Sequence, residues 1–167
     1  MNDDATQVFT IIVLLFATAF ALLPFFAFII YVFYQNNKRK RIREALMNRL
    51  GQFATGNRWH PVRYASQQRF KSFFKIFPWE GAGILVITPG VLHFFIETNS
   101  GTPVELQFTP QNSRAAFLGK VPWPNGAISW IEFETPNGKH YFSSETGAFI
   151  IGSHKSTKAI YDEIAGT

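Results

Sequence analysis

The sequence predicts a membrane-anchored, mainly-β protein: one N-terminal transmembrane helix followed by a small β domain that ends in a helix. Three observations predict it. Residues Val8 to Tyr34 carry no charged side chain. Between Lys38 and Lys75 there follow eleven basic residues against a single acid, Glu44. Beyond Glu80, short alternating or β-branched runs recur between turn-forming pairs of proline, asparagine and glycine. The chain has 167 residues, so subtracting one span leaves room for one small domain.

At ~1.5 Å per residue the apolar run reaches ~40 Å, against a hydrocarbon core of ~30 Å. It therefore crosses a bilayer with length to spare for tilt. Residues 1–7 form a short acidic tail with Asp3 and Asp4, which argues against a cleavable signal peptide and its basic leader. Tyr31 and Tyr34 fall where an aromatic belt is expected. Lys38, Arg39, Lys40, Arg41 and Arg43 follow the span at once. Positive charge stays on the cytoplasmic side, so the N-terminus is expected outside and the domain inside, at an inner or cytoplasmic membrane crossed once. Pro24 removes a helical donor and predicts a kink near Phe20. Ala17 and Ala21 give a small-xxx-small pair on which another helix can pack. Seven of the nineteen phenylalanines lie in the span, which suits lipid or flat partners. It holds no histidine or charge, and so no obvious haem, pigment or metal ligand and no proton relay.

Residues 35–66 read as a basic juxtamembrane helix and loop. From Asn36 to Leu50 there is no proline or glycine, and Ile42, Ala45, Leu46 and Arg49 or Leu50 recur at helical steps, with a stop at Gly51. The stretch GQFATGNRWHPVRY then reads as a loop containing Arg58, Trp59 and Arg63. In QQRFKSFFKIFPW, residues 67–79, Phe70, Phe73, Phe74 and Phe77 make one helical stripe, with Arg69, Lys71 and Lys75 off it. That suits an interfacial helix on an anionic surface. A period of two also fits, with Phe70, Phe74 and Ile76 opposite Lys71 and Lys75, and would make the segment a strand. In either reading the eleven candidates for anionic lipid headgroups are Lys38, Arg39, Lys40, Arg41, Arg43, Arg58, Trp59, Arg63, Arg69, Lys71 and Lys75. Ala17, Ala21 and Pro24 are the candidates for helix packing.

The domain is expected over 67–167. ILVIT (84–88) and VLHFFIE (91–97) flank Pro89-Gly90, a type II turn pair. VELQFT (104–109) turns Val104, Leu106 and Phe108 inward, and RAAFLGK (114–120) follows as a further strand. AISWIEFET (127–135) and KHYFSSE (139–145) enclose Pro136-Asn137-Gly138, a hairpin tip. SHKSTKAIYDEIAGT reads as a helix capped near Ser156 that buries Ile160 and Ile164 and ends before Gly166.

The hairpins GILVITPGVLHFF and ISWIEFETPNGKHYF, followed by the helix KAIYDEI, resemble a pleckstrin-homology-like domain of the bacterial kind over roughly residues 67–165. The resemblance implies two sheets packed nearly at right angles as a barrel or orthogonal sandwich. The C-terminal helix would plug one open end with Ile160, Ile164 and Tyr161. It also implies that lipid-binding members carry clustered basic residues in the first hairpin loop. At Pro78 to Gly83, PWEGAG carries Glu80 and no basic residue, which leaves Lys71 and Lys75 as the nearest substitutes.

Chemistry has little to work with. There is no cysteine, and His60, His93, His140 and His154 show no ligand spacing. Glu132 and Glu134 share one strand face without a partner acid or base and read as a solvated face, as do Asp162 and Glu163 on the last helix. Gly81 and Gly83 precede no phosphate-binding helix. No catalytic residue, cofactor, metal or small-molecule substrate is expected. Residues 76–167 are net acidic, with five basic and eight acidic side chains, which argues against nucleic acid. Two readings remain. One is a non-catalytic accessory or scaffold subunit of a larger integral membrane complex, of respiratory or photosynthetic type, with the Pro122-Trp123-Pro124 loop among its contacts. The other is a free membrane-anchored module that binds anionic lipid or a peptide.

Overall fold

The computed structural model describes residues 3–75, 77–122, 124–146 and 155–166. The chain divides into two compact units, residues 1–38 and 39–167. Helix α1 (Asp3–Leu50) contributes to both. Its apolar part is long and apolar enough to cross a membrane. It runs as helix without interruption through Pro24, and Ala17, Ala21 and Pro24 are all exposed on it. The helix ends where expected: Gly51 takes φ 51° and donates its N–H to the Met47 carbonyl at 2.9 Å.

The second unit is a seven-stranded antiparallel sheet with short helices. In chain order these are α2 (Gln52–Thr55), β1 (Arg58–Ser66), α3 (Gln67–Lys71), β2 (Gly81–Thr88), β3 (Val91–Thr98), β4 (Pro103–Phe108), β5 (Arg114–Val121), β6 (Ile128–Thr135), β7 (Gly138–Ser144) and α4 (Thr157–Ala165). The spatial order is β4-β3-β2-β1-β7-β6-β5. Two meanders therefore meet along β1 and β7. Thr88 pairs with Val91 around Pro89-Gly90, where Gly90 has φ 74°, and Thr135 pairs with Gly138 around Pro136-Asn137. On β4, Val104, Leu106 and Phe108 turn inward, as their alternation requires.

The sheet curls on itself. Phe108 of β4 stacks on Phe133 of β6 at 4.6 Å between ring centroids, although four strands separate them in the sheet order. Phe94 meets Phe142 at 3.8 Å. These rings, with Val62, Leu85, Ile96 and Ile131, form the main core. Ile160 of α4 is buried in it, with Tyr161 and Ile164 packed alongside. Ser156 caps α4, its Oγ accepting from Ala159 N–H at 3.2 Å. A second cluster lies on the opposite face of β2. There Ile84 and Val86 pack with Phe95 against Ile42, Leu46 and Ala54. The connector's apolar stripe is thus a docking face, with Ile42 and Leu46 inward and Ala45 and Arg49 exposed.

Three expectations are corrected. The segment expected as a loop is largely β1, the strand that joins the two meanders by pairing with both β2 and β7. Pro61 is accommodated at the very end of the β7 ladder, whose pairing begins at Val62: its carbonyl still accepts from Glu145 N–H at 3.3 Å, and the N–H it lacks would be the last of that side's bonds. The β unit consequently starts well before Gln67. Finally, the described residues of 67–79 form neither an interfacial helix nor a strand: the five-residue α3 is followed at 72–75 and 77–79 by residues in no helix or strand. Ser66 caps α3 through Arg69 N–H at 3.2 Å, and Phe70 stacks on Tyr141 at 3.7 Å, so the expected stripe is broken after its first member. Ile76, Trp123 and His154 lie outside the described residues.

Candidate functional site: a buried arginine cluster

The structure separates the eleven expected headgroup residues by exposure. Lys40, Arg41, Arg58, Trp59 and Lys71 are exposed, and Lys38, Arg43 and Arg69 are half-buried. Arg39, Arg63 and Lys75 are buried at 8%, 2% and 9% of their full exposure, so the expectation that these three face headgroups is corrected. The reason is local in each case. Arg39 precedes Ile42 and Leu46 on the docked face of α1. Arg63 lies on β1, whose residues 60–65 are all buried. Lys75 turns its ammonium inward to donate to the carbonyls of Arg69 and Phe70, both at 2.9 Å, and to Asn125 Oδ1.

Arg39 and Arg63 meet across a tryptophan. The Arg63 guanidinium lies 4.5 Å from the centre of the Trp79 ring and that of Arg39 lies 6.0 Å from it. Arg63 also donates from Nη2 to the Thr146 carbonyl at 2.9 Å. Beside them Glu145, fully buried at the end of β7, accepts from Arg43 Nη1. Burial lowers Arg63 to about 10, aided by Arg39 and opposed by Glu145. Burial likewise pushes the Glu145 carboxyl up, against the pull of Arg43, Arg39 and Arg63. Three guanidinium groups thus act on one carboxylate, Arg43 by direct contact. Among the described residues, Arg63 Nε and Glu145 Oε1 have no hydrogen-bond partner. Arg43 and Arg39 sit four apart on one helix face, a signal present in the sequence. Nothing local marked Trp79 or Glu145 as their partners, since Glu145 lies 102 positions from Arg43.

A second polar cluster fastens α4. Glu163, expected on a solvated face, is instead nearly buried and reaches Lys155 at 2.7 Å, His60 Nε2 at 3.0 Å and Arg58 at 3.1 Å. Burial alone would raise Glu163; the Lys155 hydrogen bond and His60 outweigh it and hold it below the usual carboxylate range. His60 is lowered by burial, against the pull of Glu163. Glu132 and Glu134 are not simply solvated either, for Lys139 reaches them at 2.7 and 3.8 Å. His140, lowered by burial, bonds the Tyr64 hydroxyl at 3.1 Å, and burial pushes that hydroxyl up to about 12. Between α4 and the β4–β5 side lies an open apolar cleft of about 220 Å³, lined by Leu92, Phe108, Ala115, Phe133, Tyr161 and Ile164 among others. Gly81 and Gly83 serve strand packing: a Cβ at Gly83 would sit 1.9 Å from the Phe95 carbonyl oxygen. Among the described residues, no group of three or more histidine, aspartate or glutamate side chains is arranged to hold a metal ion. No family model, curated protein or solved structure matches this chain.

Proposed function

We propose that the protein is a non-catalytic, single-pass membrane subunit whose β unit is a pleckstrin-homology-like scaffold at the cytoplasmic face, serving to hold other integral membrane subunits together. The observation that carries this reading is the docking of residues 39–50 onto the sheet. The basic stretch that leaves the apolar span is not a free tether. Ile42 and Leu46 pack on Ile84, Val86 and Phe95, and Arg39 and Arg43 join Arg63, Trp79 and Glu145. A basic stretch packed into the β unit in this way suits a scaffold part, whereas a lipid-reading module works equally well on a flexible linker.

Support for the pleckstrin-homology-like assignment comes from the strand order, in which a four-stranded and a three-stranded meander meet at β1 and β7, and from Ile160 entering the core. Support for the orientation comes from the exposed Lys40 and Arg41 directly after the span. The exposed apolar surface of α1, including Phe9, Phe16 and Phe20, suits lipid or neighbouring helices. Gentle detergent extraction from the native membrane followed by sizing tests the proposal. Co-migration with other integral membrane proteins is expected; migration as a lone monomer would falsify the subunit reading.

A further inference from the structure

The loop between α3 and β2 carries the two most exposed large apolar side chains among the described residues of the β unit. Phe74 is 90% exposed and Phe73 61%, and their rings meet edge to face at 5.2 Å. Single apolar residues at a surface need no explanation. An adjacent phenylalanine pair held outward by its own loop does. Both sides of the pair are tied down: Lys75 donates to the Arg69 and Phe70 carbonyls and to Asn125, and Arg69 Nη2 donates to the Phe77 carbonyl at 2.8 Å. Burying an ammonium is costly, and here it goes to fixing the backbone from which the two rings project. Lys71, exposed, flanks the pair.

The loop's position names its occupant. Phe77 packs on Trp79 at 5.3 Å, and Trp79 in turn lies beside Arg63 and Arg39. Arg39 is the first residue of the β unit and follows Tyr34, the end of the apolar run, by five positions in the same helix. The exposed pair is therefore carried on a loop braced against the very residue at which the apolar helix joins the β unit, within the most basic stretch of the chain. Aromatic side chains beside cations are what the headgroup layer of an anionic bilayer accepts.

We propose that Phe73 and Phe74 form a wedge that inserts into the headgroup layer of an anionic bilayer, giving the β unit its own membrane contact separate from the apolar helix. The inference rests on the anchored reading above. Because the chain has no cysteine, a single cysteine gives a unique label. F74C, F20C within the apolar run and N112C in the exposed turn after β4 are each labelled with an environment-sensitive fluorophore. The full chain is reconstituted into phosphatidylcholine–phosphatidylglycerol vesicles. At position 74 the emission is expected to shift to the blue and to be lost to a quencher carried on lipid at headgroup depth. Position 112 should lose emission only to a water-soluble quencher, and position 20 only to one deep in the acyl chains. Water exposure at 74 with position 20 still in lipid overturns the wedge and leaves the anchor standing. Water exposure at both 20 and 74 overturns the anchored reading itself. Shielding at 74 from water and lipid alike means that protein covers the pair, which also overturns the wedge.

Discussion

Glu145, with no exposed surface, accepts a hydrogen bond from Arg43, so the acid immediately after β7 is tied to the part of α1 that follows the apolar run. The tie closes a charge cluster that would otherwise be wholly cationic. Removing Glu145 takes away the carboxylate that Arg43 bonds and that acts on Arg63, whereas removing Arg43 leaves Glu145 with two guanidinium groups still acting on it. Stripping one partner from a buried ion pair typically costs about 3–5 kcal/mol. Glu145→Ala is expected to lose that much, and Arg43→Ala distinctly less, in denaturant unfolding of the detergent-solubilised chain. Equal losses would mean that packing, not charge, holds the joint.

Strands β2 to β7 were legible because their signals are local. Pro89-Gly90 and Asn137-Gly138 set the hairpins, and alternation in VELQFT fixed which side chains face the core. β1 was not legible, for a physical reason. It is buried on both faces, by the main core through Val62 and Tyr64 and by Trp130 and Tyr141 through Ala65, so RWHPVRYAS shows no alternation. Its polar members also look solvent-facing until their partners are known, and the partner of His60 is 103 positions away. The arginine cluster was half legible: its basic members stood out, but what they act on is assembled only by the fold.

Gly83 illustrates a glycine whose meaning changes with the fold. In the sequence EGAG raises the question of a phosphate loop; in the sheet Gly83 stands where the β3 backbone leaves no room for a side chain. A methyl group there would sit 1.9 Å from Phe95 O and 2.7 Å from Ile96 Cα, both backbone atoms that cannot rotate away. Gly83→Ala is expected to destabilise by at least the roughly 3 kcal/mol at the upper end of ordinary overpacking. Gly166→Ala, whose nearest contacts begin at 3.5 Å, should change the unfolding midpoint little. A G83A midpoint within error of the parent would show that the close approach of these two strands imposes no constraint on the side chain at position 83.

Acid should weaken the fold in two stages. Burial lowers the pKa of His60 and His140 below the ordinary 6.5. The unfolded chain therefore takes up these protons first, so the stabilisation is complete above about 6.5 and is lost as pH falls through that value towards the folded ones. Glu163, also lowered, from 4.5, keeps its contribution until the pH drops below that of an unfolded glutamate. Stability measured against pH should thus decline first below about 6.5 and more steeply below about 4.5. The His60→Gln, His140→Gln pair should flatten the first stage and spare the second. An unchanged slope between the two values would remove the histidines from the account.

The most direct check of the architecture is where the β unit can be cut. A fragment beginning at Gln67 keeps every strand that alternation and turn pairs announce, yet it lacks β1. Without it β2 and β7 lose their common neighbour, Val62 and Tyr64 leave the core, and Arg63 no longer meets Trp79. The two meanders would then be joined by no ladder among the described strands, and each alone has an open apolar face. A fragment beginning at Arg39 retains the strand and also the face of Ile42 and Leu46 that covers Ile84 and Val86. Residues 39–167 are therefore expected to unfold in one cooperative transition by circular dichroism, while 67–167 shows none and binds hydrophobic dyes. Cooperative unfolding of 67–167 at the same temperature as 39–167 would show that β1 is dispensable and that the sheet is not organised around it.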